Sequence, residues 1–353
     1  MTTLPGITAR TITSARLRTR VLTAGKPGGT PVLFLHGNLS SATWWEETLL
    51  SLPAGYLGIA PDQRGFGEAD PDAHIDARRG LGDLVDDAVA LLDALDIARV
   101  HIVGSSMGGS VVWRLLMDHA ARFLSAALVA PGSPYGFAGT RDVAGTPTHG
   151  DFAGSGAGLV RPELAAALRA GDRGASSLFS PRTALRTLIV KPPFIARRED
   201  DLVAAMLSTH CGDRDYPGDS TSTLHWPYVA PGVWGINNAL SPKYAGTPDR
   251  LYTITPRVPI LWLRGRHDLA VSDMAVSDPG TWGPLGLVPG YPGPLIYPPQ
   301  PMLGQTRAVL DRYRAAGGTY REIVLDNVAH VPYIEAPAAF NAALHPFLAT
   351  AAS

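Results

Sequence analysis

Short, continuously apolar runs alternate with helix-length amphipathic stretches between residues 31 and 130, and this alternation constrains the fold more than any other feature of the chain. Residues 31–35 (PVLFL), 56–60 (YLGIA), 100–103 (VHIV) and 124–130 read as strands. Between them, residues 41–52 and 111–119 read as helices, and Leu81, Leu84, Val85, Ala88, Val89, Leu92 and Leu95 fall on one helical face. Strands with no polar alternation are buried on both faces, which requires a parallel sheet covered by helices on each side. The pattern breaks at Pro131-Gly132 and resumes with a strand at 259–263 (PILWL). A helix at 305–316, a strand at 320–325 and a final helix at 334–348 complete the chain. Residues 132–256 carry helical pieces at 162–170 and 199–209 but few strand signals, so they form an insertion into a core made of 1–131 and 257–353.

Composition excludes several classes. With 30 basic and 31 acidic side chains, a net charge of −1 and no long run of either sign, the chain lacks the basic face of a nucleic-acid binder. The opening residues lack the apolar core of a secretory signal, and no stretch has the length of a membrane-spanning helix. One cysteine, Cys211, cannot form an internal disulfide, and a cytoplasmic protein is expected. Apolar residues are 45% of 353, enough for a large core. His210-Cys211 suggests a metal or thiol site, but no second ligand pair stands at sensible spacing, so a buried thiol beside a satisfied histidine is the better reading.

The chemistry concentrates at strand ends. Gly104-Ser105-Ser106-Met107-Gly108 fits Gly-x-Ser-x-Gly, with a strand before it and a helix after it. Such a turn holds the serine in a strained conformation, and its neighbours must be small. Ser106 is therefore the candidate nucleophile; Ser105 sits one place early. A bare surface serine on a tight turn would give the same five letters. His36-Gly37-Asn38 ends an earlier strand, where an ordinary turn or an oxyanion loop could stand. The backbone N–H groups of Asn38 and Met107 are the expected oxyanion donors. Serine needs a base, and the base needs an acid to hold its tautomer. Of ten histidines, His330 comes after the last strand, at the same sheet edge as Ser106. His36 belongs to the loop that bears Asn38, and His101 lies inside a strand. Asp268 emerges from the 259–263 strand through Arg264-Gly265-Arg266-His267, with Asp273 and Asp278 as fallback acids.

Taken together, HGN at 36–38, PDQRGFGEAD at 61–70, GSSMGG at 104–109, GRHD at 265–268 and AHVPYIEAP at 329–337 resemble the α/β-hydrolase superfamily over the whole chain except the insertion. The resemblance implies a mostly parallel sheet of the eight-stranded type flanked by helices, with an inserted, mainly helical cap at 132–256. It also implies a structural role for Asp62-x-Arg64-Gly65-x-Gly67 beside the oxyanion loop. HGN and PDQRGFG are similar to haloalkane dehalogenases and epoxide hydrolases, which carry an aspartate where Ser106 stands. Serine favours acyl transfer instead. Val331-Pro332 after His330 departs from the Trp found there in many carbon–carbon bond hydrolases of this fold.

The expected activity is hydrolysis of a carboxylic ester or lactone of a small molecule, without metal or organic cofactor. Acyl transfer to an alcohol and carbon–carbon cleavage are alternatives on the same triad. A non-catalytic protein binding an apolar ligand is the alternative of another class. Cap aromatics Phe194, Trp226, Tyr228 and Trp234, with Trp44 and Trp45 near the oxyanion loop, point to a bulky, largely apolar substrate, although any one of them could be core. The apolar segment 274–303 either packs on the insertion as part of the pocket or lies along the body of the sheet.

Overall fold

The computed structural model describes residues 3–350. Eight strands form one sheet: β1 (Thr8–Thr13), β2 (Arg18–Gly25), β3 (Thr30–Leu35), β4 (Tyr56–Pro61), β5 (Val100–Ser105), β6 (Phe123–Val129), β7 (Ile260–Gly265) and β8 (Tyr320–Leu325). Their spatial order is β1-β2-β4-β3-β5-β6-β7-β8. From β4 to β8 every pairing is parallel, while β1 and β2 form an antiparallel hairpin whose second strand runs antiparallel to β4. The hairpin has no counterpart among the strands expected from sequence. Its residues (TARTIT, then RTRVLTAG) are Thr- and Arg-rich, and β1 is almost wholly exposed, so no apolar run announces it.

The interior strands form as their sequence dictates. All six residues of β5 are buried, as a strand sandwiched between helical layers must be. One face packs on helices α1 (Gly82–Ala94) and α2 (Met107–His119), and the other on Trp45, Leu49 and the C-terminal helix α4 (Pro337–Thr350). Helix α3 (Met302–Ala315) precedes β8 and buries Val309, Leu310 and Tyr313. Two expected helices are divided. Residues 41–52 become a 3-10 turn, Ala42–Trp45, and a short helix, Glu46–Ser51. The last one splits into Pro332–Glu335 and α4, because Pro337 cannot continue the preceding hydrogen-bond ladder.

Between β6 and β7 no residue joins the eight-stranded sheet. This insertion contains helices Pro162–Arg169, Pro181–Ala184 and Glu199–Leu207, a π-helical turn Leu185–Ile189, and two small strand pairs. It is tied to the carboxyl edge of the sheet: Trp44 Nε1 donates to Leu202 O (3.2 Å), and Gly67 N donates to Ser208 O (3.0 Å). Segment 274–303 packs on the insertion. Tyr297 lies edge-on to Trp226 and its hydroxyl donates to Ala153 O and Gly154 O, while Gln300 accepts from Ala138 N and donates to Gly136 O. Of the two arrangements open from the sequence, contact with the insertion is the one adopted.

Asp62 organises the loop after β4. Fully buried, it accepts from Arg20 Nε (2.9 Å) and Nη2 (3.1 Å), and from the backbone N–H groups of Ala42 and Glu68. A Cβ at Gly67 would fall 2.2 Å from its carboxylate, so this turn admits only glycine. Next to it, Arg64 pairs with Asp87 through two 2.7 Å bonds. Removing one partner of a buried ion pair leaves the other uncompensated. Asp62→Ala is expected to destabilise the fold by roughly 3–5 kcal/mol, read as a lowered urea midpoint; an unchanged midpoint would show that Arg20 finds another partner at no cost.

Candidate active site

The parallel strands deliver the chemical residues to one edge. At the end of β5, Ser106 takes φ 53° and ψ −116°, a conformation that L-residues rarely adopt, and α2 begins at the next residue. Close packing enforces the turn. A Cβ on Gly104 would lie 2.4 Å from Gly108 O, and one on Gly108 would lie 2.2 Å from Leu35 O. The hydroxyl is thus lifted out of the sheet, with Ser106 N anchored to Val129 O (2.9 Å).

The loop after β3 meets this elbow directly. A Cβ on Gly37 would sit 3.2 Å from Ser106 Cβ and 3.8 Å from its Oγ. Among the described residues, no protein acceptor is paired with the backbone N–H of Asn38 or of Met107. Both residues line the cavity that holds Ser106. His36 serves as a strut. Its Nδ1 lies 2.8 Å from Gly37 O and its Nε2 accepts from Gln63 N (3.0 Å), which fixes a neutral ring with the proton on Nδ1. Burial, only partly offset by Asp62, pushes its pKa down to about 4. His101, bonded to Ser125 Oγ inside the sheet, is likewise held down to about 4 by burial.

Across the edge, His330 Nδ1 and Asp268 Oδ2 are 2.8 Å apart, both nearly buried. The loops bearing them are pressed together: a Cβ on Gly265 would fall 2.1 Å from Ala329 O. Asp268 also accepts from Ala270 N and Val271 N, which fixes the carboxylate. The fallback acids have other partners. Asp273 caps helix α3 through Leu303 N and Gly304 N, and Asp278 accepts from Gly280 N and Gln300 N.

Ser106, His330, Asn38, Met107 and Trp44 share the walls of a cavity of about 750 Å³. Aliphatic side chains of the insertion (Leu164, Leu188, Ile189) and of the apolar segment (Leu287, Val288, beside Trp282) make most of the rest. Three expected pocket residues lie elsewhere. Trp45 is fully buried and stacks on Tyr333 at 4.0 Å. Trp226 packs between Tyr291 and Tyr297, holding the apolar segment to the insertion. Trp234 lies under the Arg214 guanidinium, 4.2 Å from its ring centroid. These three rings serve as mortar between segments, while Trp44 and Trp282 stand on the cavity wall.

Two polar residues carry no mark in the sequence that singled them out. Asn237 of the insertion accepts from Asn38 Nδ2 (2.8 Å), bracing the loop beside Ser106. Glu335 lies one helical turn beyond His330, and its carboxylate accepts from Ala329 N (3.0 Å), Val331 N (3.4 Å) and Lys191 N (2.7 Å). His330 N in turn donates to Ile189 O (3.0 Å), so the loop that carries His330 is joined to the π-helical turn of the insertion. Among the described residues no cluster of His, Cys, Asp or Glu is placed to hold a metal, and no helix is long and apolar enough to cross a membrane.

The sequence profile of the alpha/beta hydrolase fold matches residues 30–280, and the chain belongs to that family. Epoxide hydrolase A of Mycobacterium tuberculosis (strain ATCC 25618 / H37Rv) is 37% identical over 129 residues, which is 36% of this chain and 40% of that protein. The chain therefore matches about two fifths of that relative's length. Among solved structures, the 2-hydroxy-6-oxo-6-phenylhexa-2,4-dienoate hydrolase of Rhodococcus sp. strain RHA1 superposes with TM-score 0.61 at 18% identity, covering 98% of both chains. Carboxylesterase CesB from Bacillus subtilis does so with TM-score 0.60 at 16% identity, covering 98% of this chain and 92% of the other. At these identities the likeness is one of fold.

Burial alone would lower the pKa of His330, but the charge and hydrogen bond of Asp268, with the nearby charge of Glu335, leave it above that of a free imidazole. Glu335→Gln removes one negative charge without removing the side chain. The imidazole of His330 is therefore expected to titrate at lower pH in that variant, as read by NMR of nitrogen-labelled histidine side chains. A titration unmoved or raised would show that Glu335 is neutral or screened from the ring.

Proposed function

We propose that the protein hydrolyses a carboxylic ester or lactone of a bulky, largely apolar small molecule through an acyl-enzyme on Ser106. The observation that carries this reading is the buried 2.8 Å contact between Asp268 and His330 on the wall of the cavity that also holds the strained Ser106. With its Nδ1–H given to Asp268, His330 keeps Nε2 as the basic nitrogen. Ser106 Oγ attacks the carbonyl carbon, and its proton passes to Nε2. The backbone N–H groups of Asn38 and Met107 receive the negative charge that develops on the carbonyl oxygen. The carbon–oxygen bond to the leaving alkoxide then breaks, and that oxygen takes the proton from His330; in a lactone it remains attached as the opened chain. Water next gives its proton to His330 and bonds to the acyl carbon. The bond to Ser106 breaks, and the proton returns to its oxygen. One water is consumed, and one acid and one alcohol form.

The apolar cavity supplies binding over a large area, and its few polar groups sit near the reacting carbonyl. The raised pKa of His330 bears on pH dependence, since only the neutral ring can act as base. Turnover should rise with pH through the imidazole titration, with an acid limb above the ordinary histidine value near 6.5.

A fluorophosphonate probe should label wild type once and leave Ser106→Ala unlabelled. Folded wild-type protein that resists the probe would favour ligand binding without catalysis. Ser106→Ala and His330→Ala should each lower kcat on a chromogenic ester by on the order of a million-fold, and Asp268→Asn by roughly ten-thousand-fold through the wrong imidazole tautomer. Near-wild-type turnover in any of the three would reject its assigned role.

A further inference from the structure

The cavity wall carries a single permanent charge. Among its lining residues only Arg161 is formally ionised throughout the neutral range, and no carboxylate lines it. Arg161 stands immediately before helix Pro162–Arg169 of the insertion, and its guanidinium lies 5.3 Å from the ring centroid of Phe179, itself on the wall. That stacking holds the planar fork against an aromatic face. Among the described residues the guanidinium donates no hydrogen bond. Its carboxylate neighbour, Glu163, is 3.5 Å away, and both side chains are more than half exposed, which makes the pair weak. Three nearby arginines are committed: Arg182 and Arg186 to Glu199, Arg198 to Glu46. Arg161 is the only arginine on the cavity wall, and its exposed pairing with Glu163 is weak enough to release its donors to a bound anion.

We infer that the substrate is an amphiphile, an ester or lactone whose apolar body carries a separate carboxylate, and that Arg161 receives this carboxylate. The inference rests on ester hydrolysis at Ser106. The apolar walls take the hydrocarbon body, and the guanidinium presents paired N–H donors that match the two oxygens of a carboxylate. Because Arg161 is solvated on one side, the expected gain is moderate and sensitive to salt.

Two pairs of esters test it, with the carboxylate on either side of the scissile bond. The acyl pair is para-nitrophenyl octanoate and the mono-para-nitrophenyl ester of octanedioic acid. The alcohol pair is phenyl octanoate and para-carboxyphenyl octanoate. In at least one pair, wild type should favour the carboxylated ester, and Arg161→Met should cut the carboxylated-to-neutral ratio of kcat/KM by about tenfold. The neutral esters should change less than twofold, and Arg161→Lys should fall between. Half-molar sodium chloride should erode the wild-type preference but not the ratio in Arg161→Met. Unchanged ratios in both pairs, with neutral esters still cleaved, would overturn the role of Arg161 and leave the hydrolase reading standing. Failure to cleave any of the four esters, together with no fluorophosphonate labelling, would overturn the hydrolase reading itself.

Discussion

The strained turn at Ser106 is the constraint on which the rest of the site depends. Three chain segments crowd one point: the end of β3, the end of β5 and the start of α2. A Cβ is excluded at Gly104 and Gly108, and at Gly37 it would be a tight 3.2 Å from Ser106 Cβ. The cost of placing a serine at φ 53° is of order 1–3 kcal/mol, and the fully buried strand beneath it supplies the packing that holds it there. Gly109 extends the same logic to β6, since a Cβ there would meet Pro131 at 2.7 Å. A serine so placed has little freedom to move, so the partners must come to it.

The residues proposed to act with it lie after other parallel strands, and parallelism is why they reach one edge. β3, β5, β7 and β8 all end on the same side, so the loops bearing Asn38, Ser106, Asp268 and His330 leave the sheet in one direction. This much was legible in the sequence, because buried parallel strands are apolar runs and the residues just after each run must lie at the rim. The loop struts could be read too: Asp62, Gly65 and Gly67 stand at fixed spacing because a buried carboxylate fills the turn.

The features that were not legible share a physical cause. β1 carries exposed polar side chains at the sheet edge, and β2, though largely buried, opens with Arg18-Thr19-Arg20, so their pairing leaves little hydrophobic signature. The tryptophans misled for the opposite reason. A large ring is drawn to any apolar surroundings, and Trp45 and Trp226 found theirs packed against Tyr333 and Tyr297 instead of on the cavity surface. Asn237 and Glu335 act through backbone or amide contacts with loops distant in sequence or one turn away. No pattern of residue types encodes such contacts.

Those two residues change how the insertion relates to the chemistry. A cover that only excluded water could swing without disturbing the groups beneath it. Here the inserted segment is bonded to both halves of the proposed machinery: Asn237 to the loop beside Ser106, and Ile189 with Lys191 to the loop that carries His330. The Lys191 contact ends on Glu335, whose charge also bears on the basicity of His330. Moving residues 189–191 would therefore shift the ring and alter its electrostatic surroundings in one step. On the proposed reading, a substrate packed against Ile189 and the aliphatic wall would act on the segment bonded to the His330 loop, so that substrate shape and proton affinity would be coupled through a few hydrogen bonds.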